Sequence, residues 1–302
     1  MAFLSSRVTL TCNPGDRPLT RDELRQLVAG QHGIIPMLTD RIDATVFDAA
    51  PMLRVVANYA AGYNNIDLAA ARARGVVVTN TPGVLTDATA DLTWALILGV
   101  TRRLGEGERL VRGGHWTGWV PTQLLGTDIK GAVLGIIGMG RIGRAVASRA
   151  NAFGMRVIFT ARRPPAGIDA DWQAASLPQL LGESDVVSLH VPLTEQTRHL
   201  IGSRELALMK PTAYIVNTSR GPVIDEPALA EALQHGRIAG AGLDVYEEEP
   251  RVHPGLLASE RALLLPHLGS ATTETRERMA MMAIDNLLAA LEGRRPPNPV
   301  PE

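Results

Sequence analysis

The chain has 302 residues, 45% of them hydrophobic and 4% aromatic, enough apolar material for about two domains with a sizeable core. Thirty basic residues against 31 acidic ones leave a net charge of −1, so nothing argues for nucleic acid or for a solvating tail. A single cysteine, Cys12, excludes an internal disulfide. No CxxC or HExxH spacing suggests a metal site, and no apolar run is long enough for a membrane span or a secretory signal, so the expectation is a cytoplasmic protein.

Short β-branched runs alternate with longer helical patterns. In chain order, strands are predicted at 8–11, 33–38, 53–59, 76–80, 132–138, 155–160, 185–191, 213–218, 240–245 and 262–267. Most are continuously apolar rather than alternating, as strands covered on both faces are. Helical patterns lie between them, among them 141–153 and 226–236; in the second, Asp225 caps the start, Pro227 fits the first turn and Gly236 the stop. Repeated βα units with short connections imply a doubly wound parallel sheet. Two longer helical stretches, 89–113 and 273–293, read as connectors. The chain is then expected to cross twice between a substrate domain, 1–97 with 269–302, and a dinucleotide-binding domain, 98–268, leaving a ligand cleft at the crossings. The proline-rich tail RRPPNPVPE is expected to be loosely held.

GIIGMGRIG (135–143) places Gly138, Gly140 and Gly143 in G-x-G-x-x-G spacing between an apolar strand and an amphipathic helix. Gly138 allows a tight turn, Gly140 lets backbone approach a pyrophosphate, and Gly143 lets helix and strand pack closely. Met139, Arg141 and Ile142 complete the loop and helix start, whose free N–H groups suit an anion. The next strand decides which dinucleotide. VIFTARRPP (157–165) has Ala161 where an acid would accept from the ribose of NAD, followed by Arg162 and Arg163, which suit a 2′-phosphate. NADP(H) is therefore favoured, with NAD(H) possible.

Three further segments sit where parallel strands end. VNTSRG (216–221) carries Arg220, LDVYEEEP (243–250) carries three glutamates, and LLLPHLGS (263–270) carries His267. Ligands of open α/β sheets lie at such ends, so an Arg, a Glu and a His can converge on a nicotinamide. Thr218, Asp244 and Gly269 lie at the same ends and join His267 in the expected cofactor site. His190, in SLHVP, is a rival at a similar position but lacks a glutamate of matching context, and Glu247 and Glu248 are expected to be solvated. Hydride transfer from a nicotinamide to a carbonyl group needs a proton donor for the alkoxide and a cation to hold an anionic substrate. An imidazole titrates near neutrality and serves as the proton donor, a carboxylate partner favours its protonated form, and a guanidinium grips the substrate.

ANYAAGYNNID, VTNTPGVLTDATAD, GIIGMGRIG, VNTSRGPVIDE, GLDVYEEEP and PHLGSAT, in that order, resemble the D-isomer-specific 2-hydroxyacid dehydrogenases, most of all the glyoxylate/hydroxypyruvate reductases. The resemblance runs from about residue 18 to about residue 293 and covers six ordered motifs. It implies an α/β fold of two doubly wound parallel-sheet domains, a Rossmann-type cofactor domain inserted in a smaller flavodoxin-like substrate domain. Compared with the family, the start is expected to lack the first βα unit. The resemblance puts Arg220, Glu249 and His267 in the catalytic positions and the substrate carboxylate on the N–H groups of Ala61 and Gly62. Trp116 and Trp119 either anchor their loop on the core or, as in the reductases, send Trp119 to the partner subunit's active site, which implies a homodimer. The implied reaction is reduction of glyoxylate and hydroxypyruvate to glycolate and D-glycerate. Phosphoglycerate, a bulkier 2-keto acid or phosphite as substrate stays open, as does a dinucleotide-sensing protein like the family's corepressors.

Overall fold

The computed structural model describes residues 2–13, 15, 17–162 and 167–301. The chain forms two compact units, Met1–Leu85 with Thr272–Glu302, and Thr86–Ala271.

In the first unit, β1 (Gly33–Ile34), β2 (Val55–Ala57) and β3 (Val77–Thr79) form a parallel sheet in that order. Alternation along β2 explains its unbroken apolar sequence. Val56 joins Val46 and Phe47 on one face, while Val55 and Ala57 pack with Leu287 and Leu288 of the helix Thr273–Leu291 on the other. A Cβ at Gly33 would lie 2.6 Å from Leu287 Cδ1, so that helix sits close on the sheet. Residues 8–11 form no strand; Val8 and Leu10 pack against the cluster containing Leu4 and Leu287, and Val8 N–H donates to Leu4 O at 3.1 Å. The tail is not loosely held. Val300 N–H donates to Val78 O at 2.9 Å, Pro299 bridges Thr79 antiparallel, and the buried Asn286 accepts from Asn298 N–H at 3.0 Å. Prolines cost an edge segment few ladder bonds, so the tail docks where only some of its N–H groups are needed.

The second unit holds β4 (Val133–Ile137), β5 (Arg156–Thr160), β6 (Gln173–Ala174), β7 (Val186–Leu189), β8 (Tyr214–Asn217), β9 (Gly240–Leu243) and β10 (Ala262–Leu264). The order is β10-β9-β8-β7-β4-β5-β6, with every pair parallel. Direction of travel reverses between β4 and β7, and the carboxyl ends of strands beside such a reversal form a ligand crevice. Leu134 and Ile136 face one core cluster and Val133 and Ile137 the other, so the sheet is buried on both faces. β6 is an edge strand of two exposed residues, and no apolar run marks it.

The first connector is two helices, Thr86–Thr101 and Leu104–Arg112, broken at Arg103, whose φ is +53°. The first of them lies wholly within the second unit. Trp94 stacks on Phe153 at 4.3 Å and donates to Val146 O at 3.0 Å, and a Cβ at Gly242 would lie 3.2 Å from Leu96 Cβ. The two compact units divide at 85/86 and 271/272, because a helix packed along its whole length belongs to one core. The helix Glu226–Gln234 starts where its sequence implies, with Asp225 accepting from Ala228 N–H at 3.0 Å.

Candidate active site

Three turns at the carboxyl ends of β8, β9 and β10 build the site. After β8, Asn217 Oδ1 accepts from Ser219 N–H at 2.9 Å and its amide donates to Arg220 O at 2.9 Å, shaping the turn that presents Arg220. Burial lowers the pKa of this guanidinium and the Glu249 charge opposes the effect; arginine remains cationic throughout. After β9, Tyr246 N–H donates to Glu249 Oε1 at 3.1 Å, and the Tyr246 hydroxyl donates to Leu265 O at 2.8 Å, tying this turn to the end of β10. After β10, His267 takes a left-handed φ of +56°, a conformation that costs a non-glycine residue about 1–3 kcal/mol and persists only where surroundings enforce it. The enforcing group is Asp244. Its backbone oxygen accepts from His267 N–H at 2.9 Å, and its buried carboxylate accepts from Leu268 N–H at 2.6 Å and Gly269 N–H at 2.8 Å. Burial raises the Asp244 carboxyl pKa, with those two N–H bonds working against the rise.

His267 Nδ1 lies 2.8 Å from Glu249 Oε2. An ionised carboxylate only accepts, so Nδ1 carries the proton and Nε2 is left for another partner. Burial opposes ionisation of Glu249, but the His267 bond and charge, the Tyr246 N–H and Arg220 outweigh it and hold the carboxyl below its usual range.

The glycine loop follows β4. Gly138 has φ +99°, and a Cβ there would lie 2.7 Å from the His190 carbonyl; one at Gly143 would lie 2.2 Å from Gly138 O. Gly140 differs from both. Its φ is ordinary, and a Cβ would meet nothing within 4 Å, so the chain's own packing does not call for glycine there. The helix Arg141–Ala150 opens without a side-chain cap, with Met139 buried, Ile142 half-buried and Arg141 exposed. Arg162 is exposed just past β5 beside the half-buried Ala161, and Arg163 lies outside the described residues.

Other predicted residues fall in different settings. Thr218 is buried and its hydroxyl lies 2.9 Å from that of Thr93; Thr93 donates to Thr89 O at 2.8 Å, and Thr89 to Gly269 O at 2.9 Å. Sequence reasoning missed Thr89 and Thr93, whose only signal is two hydroxyls four residues apart in an apolar helix. His190 is no rival proton donor. Its Nε2 bonds Ser188 Oγ at 2.9 Å, and burial pushes its pKa down to about 3, so the ring is neutral. Glu248 is exposed and pairs with Arg251 at 2.7 Å, but Glu247 is not solvated: it bonds Glu226 N–H and the His199 ring, each at 2.9 Å. Trp116 and Trp119 are 54% and 80% exposed, so neither anchors its loop on the core.

In the first unit, Asn80 donates to Ala61 O at 2.6 Å and Asn58 to Gly62 O at 2.8 Å. These bonds fix the loop by its carbonyls, and the N–H groups of Ala61 and Gly62 find no acceptor among the described residues. Among those residues, no cluster of three or more His, Cys, Asp or Glu side chains is arranged to hold a metal, and no helix is long and apolar enough to cross a membrane.

Residues 94–269 match the family model described as D-isomer specific 2-hydroxyacid dehydrogenase, NAD binding domain. A glyoxylate reductase of Aeropyrum pernix is 53% identical over 270 residues, covering 87% of this chain and 80% of its own length. One from Thermococcus litoralis is 49% identical over 284 residues, covering 92% and 86%. The crystal structure of an NADPH-dependent glyoxylate/hydroxypyruvate reductase from Sinorhizobium meliloti, in complex with NADP and malonate, matches with a TM-score of 0.84 at 37% identity, covering 93% of this chain and 86% of that one. With a family model spanning more than half its length and relatives at this identity, the chain belongs to the D-isomer specific 2-hydroxyacid dehydrogenase family.

Proposed function

We propose that the protein is an NAD(P)H-dependent reductase of small 2-keto acids, taking glyoxylate to glycolate and hydroxypyruvate to D-glycerate. The observation that carries this reading is the 2.8 Å contact between His267 Nδ1 and Glu249 Oε2, with Arg220 near enough to act on the same carboxylate. The seven-strand unit serves as a doubly wound, Rossmann-type cofactor domain, and the three-strand unit as its flavodoxin-like substrate domain.

The glycine loop fits a dinucleotide: open space over Gly140 and an uncapped helix start suit a pyrophosphate. The N–H groups from Met139 to Ile142 would hold it, with Thr218, Asp244 and Gly269 beside the nicotinamide. When bound, the reduced nicotinamide supplies the hydride. Arg220 grips the carboxylate and carbonyl oxygen of the keto acid and fixes the carbon for attack. The Ala61 and Gly62 N–H groups take the carboxylate. His267 gives the Nε2 proton to the carbonyl oxygen as it becomes an alkoxide, and Glu249 holds the imidazolium in place before transfer.

Ala161 in place of an acid, and Arg162 beside it, support NADP(H) over NAD(H). The exposed apolar side chains of Leu104, Val111, Trp116, Trp119, Val120 and Leu125 support a homodimer in which Trp119 completes the neighbour's pocket and limits substrate size. The deciding experiment follows NADPH oxidation over a panel of 2-keto acids. Glyoxylate and hydroxypyruvate should be turned over best; a bulkier acid preferred over both would reassign the substrate, and silence across the panel would defeat the reading. A kcat/KM with NADH equal to that with NADPH would remove the cofactor preference.

A further inference from the structure

The segment TEQTRHLIG (194–202) touches none of the groups assigned above to substrate or cofactor, yet it contains a strained residue with several bonds. His199 has φ +50°, in the region that favours glycine. Its N–H donates to Pro222 O at 2.7 Å, Ile201 N–H to Val223 O at 3.1 Å, and Asp225 N–H to Ile201 O at 3.0 Å. Residues 199–201 are thus laid along the stretch that starts two residues after Arg220.

The ring of His199 reaches further. Nε2 lies 2.9 Å from Glu247 Oε2, and Nδ1 lies 3.8 Å from Asp225 Oδ2. Because the carboxylate only accepts, Nε2 carries the hydrogen. The other oxygen of Glu247 accepts from Glu226 N–H at 2.9 Å, and Glu247 N–H donates back to Glu226 Oε1 at 2.5 Å. Arg198 stands 3.9 Å from the same Glu247 Oε2 that the His199 ring bonds, while Glu226 accepts from His253 N–H at 3.3 Å. Without the His199 donor, Glu247 would face the buried Glu226 with less to offset their repulsion.

Two turns meet at this point. A Cβ at Gly221 would lie 1.8 Å from Tyr246 C and 2.4 Å from Glu247 N, so the chain beside Arg220 and the chain leading to Glu249 touch backbone to backbone. Glu249 follows Glu247 by two residues and is bonded to Tyr246 N–H, so any shift of this turn carries Glu249 with it.

We infer that His199 is a positioning residue: through Glu247 it holds the turn bearing Glu249 against the segment bearing Arg220, and so keeps Glu249 in reach of His267. The inference rests on the reading of Glu249 as a working group. Glyoxylate reduction by NADPH tests it in the wild type, His199→Gly, His199→Gln, Glu249→Gln and the Gly/Gln double variant. Glycine relieves the left-handed backbone and removes the ring; glutamine carries an N–H donor the same number of bonds from Cα. His199→Gly should lose about 10- to 100-fold in kcat/KM, as small misplacements of reacting groups do, with NADPH affinity unchanged by fluorescence titration. His199→Gln should stay within about threefold of wild type, and in the Glu249→Gln background His199→Gly should cost less than about threefold. Wild-type turnover in His199→Gly, equal losses in the Gly and Gln variants, or an undiminished loss in the Glu249→Gln background would each overturn the inference. Should His199→Gly not fold, Glu247→Gln probes the contact from the other side, and full activity there overturns it equally. A fully active Glu249→Gln defeats the reading of the site and the inference together; an impaired Glu249→Gln beside a silent His199→Gly defeats only the inference.

Discussion

The ends of β7 and β10 make an instructive pair. Each apolar parallel strand leads within three residues to a histidine, His190 or His267, and both histidines lie on the edge of the sheet where ligands bind. Their fates diverge through their partners. His190 meets a neutral hydroxyl, Ser188 Oγ, and is held neutral by burial, with a pKa near 3. His267 meets a carboxylate, sits in a left-handed turn pinned by Asp244, and keeps Nε2 unused by Glu249. Position at a strand end does not make a histidine a proton donor; a charged partner and a fixed backbone do.

The largest effect that would sharpen this contrast is loss of the working ring. His267→Ala should lower kcat by about 10²- to 10⁴-fold with little change in melting temperature. Near-wild-type turnover in that variant would break the comparison outright. Arg220→Ala comes next: a rise in KM together with a fall in kcat, since the guanidinium holds both ground state and transition state, read from steady-state kinetics. Glu249→Gln should cut kcat by about 10- to 100-fold, because the ring loses the carboxylate that orients it through Nδ1–H. That substitution has a signature in stability too. The Glu249 carboxyl is held below its ordinary range, so its contribution is complete above the unfolded value and lost as pH falls through the folded one. Denaturant titrations of wild type and variant should therefore differ near neutrality and converge in acid.

The smallest effect lies at β7. His190→Asn should leave kcat within about threefold of wild type. Its consequence is for acid stability. Below about pH 6.5 the unfolded His190 takes up a proton that the folded one refuses down to about pH 3, so wild-type stability falls through that window by at most about 1.4 kcal/mol per pH unit. The Asn variant should show a flatter acid limb, and a loss of turnover matching that of His267→Ala would erase the distinction between the two rings.

Local chemistry made much of this legible. Nine of the ten predicted strands have counterparts because continuous apolar runs bounded by glycine and proline reflect burial on both faces. Misses occurred where pairing depends on a distant edge. Residues 8–11 carry a strand-like pattern but have no ladder, β6 is a two-residue strand of exposed residues, and the tail docks on β3 although its composition reads as loose. At the proposed site, Arg220 and His267 stand out in the sequence as polar residues past apolar strands, whereas only the family resemblance singles out Glu249 from three consecutive glutamates. The Thr89–Thr93–Thr218 hydroxyl chain and the Glu226–Glu247–His199 network could not, since their members are ordinary residues far apart in sequence.

By itself the sequence determined the parallel α/β character of the chain, the glycine turn after β4, and which side chains stand at strand ends, because periodicity and short-range sterics are local properties. Tertiary structure alone decided where one compact unit ends and the other begins, and that Glu247 is held rather than solvated. Those outcomes depend on partners met far along the chain, such as His199 and Glu247, 48 positions apart, and no local pattern encodes that distance.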